Sequence, residues 1–314
     1  MLIGADFFLS HRVYVAKSQG RLYFTYNGGP VFNLASTPQD PATRPGGAVA
    51  KPDDAAGGPT DAEAFNRRGA AFAARGDFAR AIADLTRACE LAPKEPGYFY
   101  RRAMAYLADG RPAPAMADLD RTLALAPGDV PAQMARAGLR LGGGDRKAAL
   151  ADLDGADRSA AKDADARLAL AELYLRADAF DSSISQYDRW IAAHQQDGHR
   201  AQALNGRCWT RAMAGRDLDK ALADCDGALR LSPRNASVLD SRGMVRLRRG
   251  EFDKAIADYD VALAARPKSA WSLYGRGIAQ LRAGQAARGK ADIAAASALA
   301  PDLADEARRR GIVP

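Results

Sequence analysis

The chain has 314 residues, is 47% hydrophobic and only 7% aromatic, and carries a formal charge of +7 with a pI near 9.4. Its Lys and Arg residues are spread along the chain and interleaved with Asp, not gathered on one face with stacking aromatics, which argues against a nucleic-acid partner. No apolar run reaches the roughly 18 residues of a membrane span, and Cys89, Cys208 and Cys225, an odd set without close spacing, predict core thiols with neither disulfide framework nor zinc site.

Residues 1–35 show no repeat. Asp6 to His11 reads as a short helical turn, then Arg12–Ala16 and Arg21–Tyr26 as two strands around Ser18-Gln19-Gly20, with Asn27-Gly28-Gly29-Pro30 as a further turn. Leu2-Ile3-Gly4, Asp6-Phe7-Phe8-Leu9 and the Val13–Tyr26 hairpin follow one another in the order seen at the end of retropepsin-like aspartic protease domains. Over about a tenth of the chain, the sequence resembles that family. The resemblance implies a remnant without chemistry. The family's activating Asp lies in an Asp-Thr-Gly or Asp-Ser-Gly triplet, and neither occurs here. Such enzymes activate water with two carboxylates that share a proton. Asp6 belongs to the later motif, so no catalytic residue carries over and the chain is expected not to be an enzyme.

Residues 36–60, rich in Pro, Gly, Ala and Asp, predict a disordered linker. Beyond Asp61 a helix–turn–helix pattern recurs every 34 residues, placed at 62–95, 96–129, 130–163, 164–197, 202–235, 236–269 and 270–303. In the clearest copy Gly243 is a close-approach position, Gly250 ends the first helix, and Ala255, Ile256, Tyr259, Ala262 and Leu263 form the apolar stripe of the second. Pro267 closes it. The fourth copy departs, with Asp178-Ala179-Phe180 in place of the Gly turn and Ser183 in place of the small Ala. The fifth has Gly215 shifted by one and Trp209 at the small position, after an extra loop from His194 to His199. Residues 304–314 read as a C-terminal cap. One unit cannot bury its apolar face alone, so the pattern predicts an all-α stack.

The repeats resemble the tetratricopeptide repeat (TPR) family, which implies a right-handed superhelical solenoid whose first helices line a concave, peptide-holding groove. Carried onto this chain, the groove positions are Asn66, Tyr100, Met104, Asp240, Met244, Trp271, Tyr274 and Ile278, several of which read equally as inter-helix core. Two charged rows run alongside. Arg68, Arg102, Arg136, Arg242 and Arg276 precede the small position of the first helix, and Asp84, Asp118, Asp152, Asp224, Asp258 and Asp292 hold one position of the second. Opposite charges at fixed offsets predict structural bridges, with a carboxylate-binding arginine ladder as the functional alternative. His11, His194 and His199 lack companions at ligand spacing, and neither a metal nor a cofactor is expected.

The resulting expectation is a non-catalytic scaffold or adaptor that binds a protein or peptide, with oligomeric state and partner identity open. The alternative is a truncated member of a protease–TPR family, and a third reading is self-assembly through the solenoid ends. The first residues lack a basic n-region and apolar core, so the chain as it stands reads as cytoplasmic, or as exported if its true start lies upstream.

Overall fold

The structure is a computed structural model that describes residues 11–16, 21–26 and 60–314. Strands β1 (His11–Ala16) and β2 (Arg21–Tyr26) pair antiparallel, with Val13 opposite Phe24 and Tyr14 opposite Tyr23. A two-stranded ladder carries no family signature, so it lends the retropepsin-like resemblance no support. Of the helical turn expected at Asp6–His11 only His11 is described, and it opens β1; the turn at Asn27–Pro30 and the linker up to Pro59 lie outside the described residues.

Fifteen helices follow among the described residues. The first three pairs are α1 (Ala62–Ala74) with α2 (Phe78–Leu91), α3 (Pro96–Ala108) with α4 (Pro112–Leu125), and α5 (Val130–Gly142) with α6 (Arg146–Ser159). Next come α7 (Ala166–Arg176) with α8 (Phe180–Ala193) and α9 (Arg200–Ala214) with α10 (Leu218–Leu231). The last are α11 (Ala236–Arg248) with α12 (Phe252–Ala265), α13 (Ala270–Arg282) with α14 (Ala286–Leu299), and the lone α15 (Leu303–Arg309). No helix among the described residues is long and apolar enough to cross a membrane.

Local chemistry sets the helix ends. Asp61, Asp77, Asp129, Asp145 and Asn235 accept backbone N–H groups of the first turns they precede. Pro96, Pro112 and Pro131 stand in first turns, where a missing N–H has no cost. The tight turn inside six of the pairs passes through a glycine in the left-handed region, Gly76, Gly110, Gly144, Gly215, Gly250 and Gly284. In the fourth pair Asp178 takes that conformation instead, at φ 49°.

Each pair is held by a small residue on its first helix facing a larger one on its second. Gly69 faces Leu85, Gly243 faces Tyr259 and Gly277 faces Ile293, so closely that an added Cβ would meet the partner at 3.0 Å or less. Ala103 with Leu119, Ala137 with Leu153, and Ala171 with Tyr187 hold the same positions in shared core clusters. In the fifth pair both positions are cysteine, and Cys208 and Cys225 form a disulfide with Cα atoms 5.6 Å apart. This corrects two expectations. Cys208 and not Trp209 fills the small position, because α9 is one residue longer before its turn. Two of the three cysteines are also crosslinked, since the hairpin brings them together across a separation of 17 residues. Cys89 alone is a buried thiol, and burial pushes it up to about 11.

The first helices of successive pairs touch one another more closely than the second helices do, so α1, α3, α5, α7, α9, α11 and α13 form the inner layer. Their core is uneven. One continuous cluster runs from Ala171 to Ile312, whereas the earlier pairs bury three smaller ones.

Candidate functional site: the inner face

A charge ladder runs along the helix pairs. Arg102 donates from Nε and Nη2 to both carboxylate oxygens of Asp118, each at 2.7 Å. Arg68 and Asp84, Arg136 and Asp152, Arg242 and Asp258, and Arg276 and Asp292 make the same two-pronged contact. The free prong reaches back one pair: Arg136 to Asp120, Arg242 to Asp226 and Arg276 to Asp260. Arg207 does so in the fifth pair, bridging Asp188 and Asp224. Arg136, Arg207, Arg242 and Arg276 therefore each fix the register of two neighbouring pairs, and its carboxylates hold Arg242 above the usual arginine range. The fourth pair has no such arginine. There buried Arg167 donates to Asp157, to Gln186 and to the carbonyls of Ala160, Ala161 and Lys162.

Asp258 is only 4% exposed and also accepts from Arg246 at 2.7 Å. Asp258→Asn keeps its shape but loses the charge that both arginines face. The expected cost is about 1.5 kcal/mol, the scale of a charge-assisted hydrogen bond. Urea midpoints measure it, and a shift within error would show that the ladder is idle.

Two openings break the inner layer. An apolar cleft of about 490 Å³ lies across α3, α5 and α7, floored by Tyr100, Val130, Pro131, Met134 and Leu173 and edged by Glu172 and Arg176. A more polar one of about 600 Å³ lies farther on, lined by Asp197, His199, Gln202, Asn205, Asn235 and Ser237. His199 is engaged by Asp197 at 2.9 Å, and His194 stacks on Trp190 with ring centroids 4.4 Å apart.

Tetratricopeptide repeat family models match residues 62–95, 140–208 and 210–270. The fold resembles a tetratricopeptide repeat protein from Parabacteroides merdae ATCC 43184, with a TM-score of 0.62 at 16% identity, over 80% of this chain and 98% of that one. It also resembles a chain of the APC/C hetero-tetramer Cut9-Hcn1, with a TM-score of 0.55 at 15% identity, over 79% of this chain and 49% of that one. Residues beyond Asp61 form a TPR array. No curated protein matches the sequence.

Within the TPR array the expected groove residues separate into two groups. Tyr100 lines the apolar cleft, Met104 packs half-buried beside Leu119, and Asn66 is half-buried with its Oδ1 unpartnered. Met244, Tyr274 and Ile278, by contrast, are 0%, 3% and 2% exposed and lie in the core cluster that the C-terminal segment joins. The cause is crowding of the inner layer in the C-terminal half. Trp209 on α9 meets Trp271 on α13 edge to face at 5.8 Å, and α15 covers what remains. Asp240 is half-buried, its carboxylate accepts from Ser272, and burial holds it above the ordinary aspartate value.

Val130, Pro131, Met134 and Leu173 were not anticipated. Met134 sits one repeat after Tyr100 at the same register, a signal present in the sequence. Leu173 lies in the degenerate fourth repeat, where the register is hard to read.

Proposed function

We propose that this TPR array is a non-catalytic scaffold that holds an extended or helical segment of a protein partner, and that the apolar cleft across α3, α5 and α7 anchors it. The observation that carries this is the half-buried Tyr100, Met134 and Leu173 converging on one opening, with Glu172 and Arg176 at its rim. Apolar anchors within a polar rim are how helices and strands are gripped with specificity. The family matches all lie beyond residue 61, so the protease-fragment alternative draws nothing from them. The Cys208–Cys225 disulfide favours the exported location over the cytoplasmic one, because disulfides persist in oxidising compartments and are rare in the cytosol.

Random-peptide display against the full chain tests the reading. Selected peptides should share apolar anchors, and Met134→Gln with Leu173→Gln should weaken their binding about tenfold or more, as loss of central anchors does. Helix content should stay unchanged. Equal binding by the double variant, or a selection that yields no binders, would overturn it.

A further inference from the structure

α15 takes the first-helix position after the seventh pair and packs against α14, and the chain then leaves the stack. Leu303, Ala307 and Ile312 are buried in the same cluster as Met213, Tyr274 and Ile278. Beyond α15 the chain turns back across the inner layer. Arg310 donates to Asp178 at 3.0 Å, a contact that spans 132 residues, and lies 6.0 Å over the ring of Trp271. Glu306, one turn earlier, holds the same guanidinium at 2.6 Å. Arg248 donates to the backbone carbonyls of both Arg310, at 2.6 Å, and Met213, at 3.2 Å. Arg282 donates to the carbonyl of Pro314 at 3.1 Å. One short segment thus touches the turn of the fourth pair and the first helices of the fifth to seventh.

Asp178 marks the contact as built into the sequence. Six repeats place glycine at this left-handed turn position, and the repeat that does not is the one whose side chain receives Arg310. A side chain costs energy in that conformation, although Asp tolerates it better than most residues. Here the carboxylate also supplies an opposite charge to the incoming guanidinium.

We infer that residues 303–314 are a resident ligand of the array, occupying the inner face of repeats five to seven, latched on the turn of the fourth, and blocking that face to other segments. The surface beneath is matched to a short helix that presents Leu, an Ala one turn later, then Arg and Ile. A partner segment of that chemistry gains access only when the tail leaves. The inference rests on the proposed binding role only in treating the inner face as a receptor. Its test uses different residues from the α3, α5 and α7 cleft, so each can fail alone.

Two full-chain variants test it. Arg310→Glu reverses the tail's charge, and Asp178→Gly removes the carboxylate while relaxing the turn, so it loosens the tail without weakening the array. Hydrogen exchange over residues 303–312 should quicken about tenfold or more in both, with the rest of the array unchanged. A labelled peptide of the wild-type sequence 301–314 should bind the Arg310→Glu chain, whose receptor surface keeps Asp178, about tenfold more tightly than the wild-type chain, whose site is occupied. Unchanged exchange in both variants would overturn the inference. So would a freed tail in Arg310→Glu with no gain in peptide binding, since the surface would then not be a receptor.

Discussion

Reducing the Cys208–Cys225 disulfide is expected to lower the stability of the array by about 3 kcal/mol, the loop-entropy scale for a crosslink closing a loop of this size. Both cysteines are fully buried, so reduction requires local opening and should be slow under native conditions. The sequence provides its own control. Ala103 with Leu119 and Ala137 with Leu153 fill the same two positions without a covalent bond. Cys208→Ala with Cys225→Leu should therefore restore the packing while making stability indifferent to reductant. Guanidinium unfolding with and without dithiothreitol measures both effects. If the wild-type midpoint does not move on full reduction, the crosslink contributes nothing to the folded array.

The second large effect lies at Gly275. A Cβ there would sit 2.3 Å from the phenol oxygen of Tyr259, and the other side of the same ring lies against Gly243. Tyr259 is completely buried, so the ring has nowhere to retreat. Helix propensity alone would make Gly275→Ala stabilising by about 1 kcal/mol. Overpacking, at up to about 3 kcal/mol, opposes it and should win, leaving a net loss near 2 kcal/mol. The phenol oxygen is buried without a partner, so Tyr259→Phe should be tolerated and should recover part of the loss in the double variant. Gly142→Ala, at a helix position with open space around it, should cost nothing. Additive losses for Gly275→Ala and Tyr259→Phe would mean that the slot is not shared. Gly206 and Tyr187 form the same slot two junctions earlier, so the argument extends to them.

Much of this architecture can be read from the residues because each repeat states it again. Period, turn glycines and terminating prolines fix where helices begin and end, and Arg and Asp at constant offsets anticipate the ladder. What escapes is whatever depends on contacts distant in sequence. Arg310 and Asp178 are unremarkable until a turn of the array brings them together. Tyr274 and Ile278 occupy groove register yet are buried, because the tail and the two tryptophans fill that half of the inner face. Cys208 and Cys225 read as separate small residues unless the one-residue lengthening of α9 is recognised. In the apolar cleft, Met134 repeats the register of Tyr100 and was open to view, whereas Leu173 was obscured by the irregular fourth repeat.

Hydrogen exchange on the full chain, with and without a display-selected peptide, decides where a partner sits. Added protection is predicted in α3, α5 and α7, while α9, α11, α13 and α15 stay as they were. Protection falling instead on the outer helices α4, α6 and α8 would contradict the inner face as the place of recognition.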